Sequence, residues 1–307
     1  MNAGSTLESI GDTPLIELDS VRPARGARIF AKWEGANPTG SMKDRMALSM
    51  IRGAEADGDL KPGQPVLEFT GGSTGSSLAL VCSVEDYPLT LLTADCFAEE
   101  KIRTMEALGA TLEVLETPEG KVHPGLFGEW EAKVDEIVPK LGAYFTDQFN
   151  NKHHPEGYRP LGHEIVKQCP AVTDFVMGAG TGGGAMGTAA GIHDEREDVT
   201  VTLVEPAESP YLTKGETGSH SIEGVALGIE PPFLDGNRYS DVIAVPEKTA
   251  VKFANEAARN DGLFSGTSTG MNLAAAVDVA RDRDPDDAVV TIAVDTGLKY
   301  LHGELYR

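Results

Sequence analysis

The chain alternates short runs of aliphatic and β-branched residues with longer stretches whose apolar positions recur at helical spacing. That alternation predicts an α/β fold, a mostly parallel sheet flanked by helices. Strands are predicted at Ala27–Trp33, Val66–Phe69, Leu89–Thr93, Thr111–Leu115, Phe175–Met177, Val199–Val204, Val242–Val245 and Val289–Val294. Helices are predicted at Asp44–Asp57, from about Ser76 to Val84, from Ala98 to Leu108 with Gly109 closing it, and at Ala185–Gly191, Thr249–Asp261 and Gly270–Asp282. No internal repeat is visible, and the Pro- and His-containing segment His153–Pro160 is the expected crossover between two halves. At 307 residues the chain can bury one large core or two sub-domains.

Three glycine-rich loops fall where a strand meets a helix, the place where backbone N–H groups and the helix dipole favour an anion. The first is Asn37-Pro-Thr-Gly-Ser-Met-Lys-Asp-Arg45. Gly35 and Gly40 have P-loop spacing, but Ser41-Met42 follow where Lys-Ser or Lys-Thr is required, so the P-loop match fails. Lys43 stands at a helix start after a tight turn; alone, it reads more readily as a surface lysine than as a functional one. The second loop is Thr70-Gly-Gly-Ser-Thr-Gly75, which suits a carboxylate; the alternative is a Ser/Thr-capped helix start. The third is Gly178-Ala-Gly-Thr-Gly-Gly-Gly184, built to hold a phosphate. It also satisfies G-x-G-x-x-G at Gly178, Gly180 and Gly183, with Glu205 ending the next strand as a ribose-binding acid would. A nicotinamide-dependent Rossmann dehydrogenase therefore remains a rival from that segment. Against it, half the chain precedes the motif and the first two loops stay unexplained.

Charge narrows the field. Forty-eight acidic residues against 26 basic ones give a formal charge of −22, which excludes nucleic acid and anionic membranes as partners. The acids are dispersed, as on a solvated folded surface. Self-repulsion of that size is tolerable where salt shortens the Debye length to about 3 Å, at 1 M. The expectation is a halophilic protein of a salt-rich cytoplasm, with an ordinary acidic enzyme as the alternative. No apolar run nears the ~18 residues of a membrane span. Met1 to Asp12 lacks the basic start and apolar core of a secretory signal. Cys82, Cys96 and Cys169 have no CxxC spacing and read as reduced, packed residues. His153, His154 and His163 fit no zinc spacing, so no metal is expected.

Taken in order, the motifs resemble the cysteine synthase and cystathionine β-synthase family, over nearly the whole chain. Ile10-Gly-Asp-Thr-Pro-Leu15 is similar to the family's "IGxTPL", and Asn37–Arg45 to its "NPxxSxKDR". Thr70–Gly75 corresponds to the substrate-carboxylate loop, Gln148-Phe149 to "QF", and Gly180–Gly184 to the phosphate loop. Ile222-Glu-Gly-Val225, Ser265-Gly-Thr-Ser-Thr-Gly270 and Asp295-Thr-Gly-Leu-Lys-Tyr-Leu301 resemble "IxGI/V", "GISSG" and "DxGxK/RYL". One motif would carry little; eight in the right order are specific.

The resemblance implies a fold-type II, tryptophan synthase β-like enzyme that uses pyridoxal 5′-phosphate. Residues 1–147 would form the N-terminal part, with 1–43 packed on the C-terminal sub-domain and 44–147 as the smaller substrate-loop sub-domain. Residues 148–307 would form the larger cofactor-binding sub-domain, with the cofactor between the two. Lys43 would carry the cofactor as a Schiff base and later move the substrate α-proton. Gly180, Thr181, Gly182, Gly183 and Gly184 would hold the phosphate, and Ser268 the pyridine nitrogen, with an N-cap as Ser268's alternative role. Thr70, Gly71, Gly72, Ser73, Thr74 and Gln148 would bind the substrate carboxylate. The implied reaction is β-replacement on O-acetylserine or a similar activated serine, with sulfide or a thiol, through an aminoacrylate intermediate, giving L-cysteine. O-phosphoserine sulfhydrylase, cystathionine β-synthase and cysteine desulfhydrase activities stay open on the same fold, as does a non-catalytic binding role. A cytoplasmic homodimer is implied, with serine acetyltransferase as a candidate partner, and neither an appended regulatory domain nor a haem-binding extension is expected.

The pattern departs from the family at four places. The carboxylate loop has Thr70-Gly-Gly-Ser-Thr74 for Thr-Ser-Gly-Asn-Thr, so Ser73 stands where the asparagine meets the cofactor 3′-oxygen and Gly71 lacks a hydroxyl. Gly184 replaces a threonine, and Pro160–Ile165 replaces a "TTGxEI"-like stretch. These changes bear on the substrate more than on the cofactor.

Overall fold

The structure is a computed structural model and describes residues 4–118, 125–226 and 228–307. It divides into two compact units. One comprises residues 43–157 with the described part of 1–10; the other comprises residues 11–42 and 158–307.

The first unit is built on a four-stranded, all-parallel sheet. Its strands, β3 (Val66–Phe69), β4 (Leu89–Ala94), β5 (Thr111–Leu115) and β6 (Tyr144–Phe145), lie in the order β5-β4-β3-β6. Helices α1 (Lys43–Asp57), α2 (Ser73–Val84), α3 (Glu99–Ala107), α4 (Leu126–Leu141) and the single-turn α5 (His153–Glu156) accompany it. The central β3 is buried along its whole length, as a parallel strand covered on both faces must be. The edge strand β5 is mostly exposed and carries Glu113, which blunts an open edge. Helix α4 presents Leu126, Trp130, Val134 and Ile137 at helical spacing to the sheet. They pack with Phe69, and Phe97, Phe127, Phe145 and Phe149 complete an aromatic core; Phe69 stacks on Trp130 at 5.2 Å between centroids. Gly142 ends α4 in the left-handed conformation (φ +60°), the usual glycine stop.

The second unit holds a six-stranded sheet. Its members are β1 (Leu15–Glu17), β2 (Arg28–Trp33), β7 (Val172–Gly178), β8 (Thr200–Pro206), β9 (Asp241–Val245) and β10 (Ala288–Ala293). The order is β1-β2-β10-β7-β8-β9, parallel throughout except that β1 runs antiparallel to β2. Helices α6 (Arg159–Gln168), α7 (Gly183–His193), α8 (Tyr211–Lys214), α9 (Glu247–Asn260) and α10 (Thr267–Arg281) belong to this unit. The wholly buried β10, AVVTIA, admits one hydroxyl, and Thr291 donates it to the Val176 carbonyl at 2.7 Å. Asp174 on β7, 1% exposed, accepts a two-pronged contact from Arg283 at 2.7 and 2.8 Å. Among the described residues no helix is long and apolar enough to cross a membrane.

All eight predicted strands are present, with ends moved by up to three residues. Helix α2 starts at Ser73 rather than Ser76, and α10 at Thr267 rather than Gly270. Both open on a glycine N-cap, Gly72 and Gly266, with no side-chain cap, so the usual Ser/Thr start signal was missing. The expected crossover His153–Pro160 contains α5 and the first turn of α6, which takes Pro160 in its opening turn.

Candidate active site

In the first unit the second glycine loop leaves β3. Thr70 continues the ladder through its N–H to the Leu92 carbonyl (2.9 Å), and the Gly72 N–H donates to Thr70 Oγ1 (3.1 Å). Helix α2 starts at Ser73 on the Gly72 cap, so neither Ser73 nor Thr74 caps it. A helix leaves its first N–H groups without intrahelical acceptors, and those of this loop form a ready anion site. Thr74, 4% exposed, donates its hydroxyl to Gln148 Oε1 at 2.9 Å, and Gln148 Nε2 donates to the Phe69 carbonyl at 3.0 Å. The unit thus brings together Thr70, Gly71, Gly72, Ser73, Thr74 and Gln148.

The bare face of Gly71 is filled by Phe97. A Cβ there would lie 2.3 Å from Phe97 Cε1, so the serine of the family pattern has no room. Gly72 is covered by Lys101, a buried residue of α3 whose Nζ lies 3.5 Å from the Cβ position.

Lys43 is the first residue of α1 and is half-buried. Buried Asp44 beside it accepts the Ser77 hydroxyl at 2.6 Å, which ties the first turn of α1 to the second turn of α2. His154 is buried near Lys43. Its Nδ1 lies 2.6 Å from the Gln148 carbonyl, which only accepts, so Nδ1 carries the proton. Burial, and then the Lys43 charge, push His154 down to about 3. His153 instead meets Asp57 at 2.7 Å and His163 meets Asp194 at 2.8 Å, so the three histidines serve separate places.

In the second unit the third glycine loop leaves β7 and opens α7. Gly182 caps α7 at φ +84°, a conformation that favours glycine. A Cβ on Gly180 would lie 2.2 Å from the Gly224 carbonyl. Thr181 accepts the Gly183 N–H on its hydroxyl (3.3 Å) and the Phe233 N–H on its carbonyl (3.1 Å). The Ala226 N–H donates to the Ala179 carbonyl (3.1 Å), so the Ile222–Val225 motif leads straight against this glycine loop. Gly183 and Gly184 form the first turn of α7.

Ser268 is the second residue of α10, 4% exposed, and the N-cap is Gly266; the capping alternative for Ser268 does not hold. Asn272 fixes this helix by accepting the Gly178 N–H (2.8 Å) and donating to the Ile292 carbonyl (2.9 Å). Ser268 and Gly180–Gly184 therefore lie at the same carboxyl-end edge of one parallel sheet, the ligand side of such sheets. Glu205, the ribose-acid candidate, is spent on α8: it accepts the Leu212 and Thr213 N–H groups and the Thr213 hydroxyl at 2.6–3.0 Å.

Comparison with known proteins decides between the two cofactor readings. Residues 6–295 match the family described as pyridoxal-phosphate dependent enzyme. The chain belongs to that family. It is 34% identical over 307 residues to a probable cysteine synthase of Bacillus subtilis (strain 168), covering 98% of this chain and 97% of that one. It superimposes on O-ureido-L-serine synthase with a TM-score of 0.92 and 31% identity, over 99% of this chain and 95% of the other. A cysteine synthase from Entamoeba histolytica gives 0.93 at 29% identity, over 100% and 91%. The fold is accordingly fold-type II, and the cofactor is pyridoxal phosphate. The residues present fit that group. A glycine cradle at a helix N-terminus suits its phosphate, α10 carries no acid in its first turn, and Thr267 Oγ1 beside Ser268 is buried without a hydrogen-bond partner among the described residues.

Sequence reading missed the residues behind this site: Glu68, Thr146, and Phe97, with His154 flagged only as a metal candidate. Glu68 had a visible signal, a carboxylate in the otherwise apolar strand VLEF.

Proposed function

We propose that this chain catalyses β-replacement on O-acetylserine or a similar activated serine, with sulfide, to give L-cysteine. The observation that carries the reading is the Thr74–Gln148–Phe69 arrangement beside the N-terminus of α2. It fixes Thr74 and Gln148 beside the first N–H groups of α2, on the same unit as Lys43, and supports reading that place as the receptor of the substrate carboxylate. Pyridoxal phosphate, when bound, supplies the electron sink that acidifies the substrate α-hydrogen. Lys43 holds the cofactor covalently; once displaced by the substrate amine, its Nζ removes the α-proton and returns it after the nucleophile has added. Thr70, Gly71, Gly72, Ser73, Thr74 and Gln148 hold the substrate carboxylate and so orient the Cα–H bond. Gly180, Thr181, Gly182, Gly183 and Gly184 hold the cofactor phosphate, and Ser268 meets the pyridine nitrogen. A hydroxyl there, unlike a carboxylate, does not keep that nitrogen protonated, which favours loss of the β-substituent over transamination. Ser73 is the residue on hand for the cofactor 3′-oxygen.

We further propose a cytoplasmic homodimer adapted to high salt, for which the charge of −22 is the support, with serine acetyltransferase as a candidate partner on family resemblance alone. The test is an absorbance screen of the loaded enzyme against O-acetylserine, O-phosphoserine, serine and cysteine in high salt, followed by sulfide. A spectral change with O-acetylserine that sulfide reverses, with cysteine released, is expected. Response to none of the four would overturn the reading, and response to O-phosphoserine alone would move the donor.

A further inference from the structure

Glu68 is the third residue of β3 and has no exposed surface, yet nothing in the proposed chemistry uses it. Its carboxyl group is the meeting point of two chain segments. Oε1 accepts the Phe69 N–H at 3.0 Å. Oε2 accepts both the Thr146 hydroxyl at 2.6 Å and the Gln148 N–H at 3.0 Å. For residues 146 and 148 to reach one oxygen, Asp147 between them must bulge, and it does so in the left-handed region at φ +48°. The Gln148 peptide is held from its other end by His154 Nδ1 on its carbonyl. Gln148 is thereby fixed at its N–H, its carbonyl and both ends of its side-chain amide. Burial pushes Glu68 up to about 8 against the lowering effect of these three donors, so it is an expensive residue to keep in an apolar strand.

We propose that Glu68 is a positioning residue for the substrate-carboxylate receptor: it holds Gln148, and through Gln148 the Thr74 hydroxyl, in the geometry that receives an amino-acid carboxylate. This rests on the reading of Thr70–Thr74 and Gln148 given above. A carboxyl group serves here because one oxygen takes two donors from the β6 exit while the other takes the N–H of β3's last residue. Glutamine can keep its carbonyl oxygen on Thr146 and Gln148 and loses only the Phe69 contact. Alanine loses all three.

The test compares Glu68→Gln, Glu68→Ala and Thr146→Val in the loaded enzyme, with amide hydrogen exchange on each protein free of substrate. Glu68→Ala is expected to raise KM for the amino-acid substrate about tenfold while leaving KM for the nucleophile within about twofold. Glu68→Gln restores most of that loss, and Thr146→Val falls between. Exchange of the peptide covering 146–150 quickens in the alanine variant, and the 180–184 peptide is unchanged. Should Glu68→Ala not fold, the ordering of Glu68→Gln and Thr146→Val against wild type carries the same comparison. Equal effects on both KM values, or unchanged exchange at 146–150, would overturn the proposal. The exchange readout needs no turnover. Exchange that behaves as expected in an enzyme inert to every β-substituted serine would therefore fault the functional reading and leave the tether standing.

Discussion

Restoring the serine of the family's carboxylate loop, Gly71→Ser, should destabilise this protein, for a reason visible in one contact. The new Cβ would sit 2.3, 2.5 and 2.7 Å from Phe97 Cε1, Cζ and Cδ1. Carbon atoms pack comfortably at about 3.5–4.0 Å, so the ring has to retreat by roughly 1 Å. It cannot do so freely, because Phe97 stacks on Trp130 at 5.8 Å and Trp130 is itself only 5% exposed among Phe69 and Phe127. Overpacking of this kind costs about 2 kcal/mol. Chemical denaturation followed by tryptophan fluorescence measures it in Gly71→Ser, Phe97→Ala and the double variant. If the ring is the obstacle, the serine costs almost nothing once Phe97 is alanine, and the cycle shows a coupling of about 2 kcal/mol. A serine that costs under about 0.5 kcal/mol in the wild-type background, or costs the same with and without Phe97, would refute the argument.

Two further outcomes follow from buried charge. Arg283→Ala strands the Asp174 carboxylate, which among the described residues is then left with the Thr173 hydroxyl at 2.9 Å. The loss should be about 3 kcal/mol, read by denaturant midpoint and partly recovered in Asp174→Asn/Arg283→Ala; equal stability of the single variant and wild type would contradict it. His154 refuses a proton in the folded state down to about pH 3, whereas the unfolded chain takes one near 6.5. The unfolded state binds more protons between those values, so folding stability is lost as pH falls through that window. Thermal midpoints measured from pH 7 to 4 should fall less steeply in His154→Gln, and parallel slopes would show that His154 is not the group responsible.

The order of elements was legible because buried parallel strands write themselves as short apolar runs: VLEF, LTLLT and AVVTIA needed no partner to be recognised. Shorter pieces were not. The antiparallel edge β1 spans three residues and β6 two, too little for any periodicity. Helix α4 has a clear stripe at Leu126, Trp130, Val134 and Ile137, but Pro139 near its end and the run of acids between those positions obscure it. For the site, glycine loops announce themselves by composition, since anion cradles need bare backbone. The residues that hold a loop in place do not. Glu68 and His154 act through the main-chain N–H and C=O of Gln148, and Thr146 acts through the Glu68 carboxyl group, none of which leaves a mark on the type of residue 148. Phe97 explains the departure at Gly71 only once the 2.3 Å contact is known.

The central claim is that Lys43 carries the cofactor. Protein loaded with pyridoxal phosphate, reduced with borohydride and digested, reports the attachment point by peptide mass. The account expects the pyridoxyl label on the peptide containing Lys43, and no label in Lys43→Ala. A label on Lys101 or any other lysine, or none in the wild type, would contradict it.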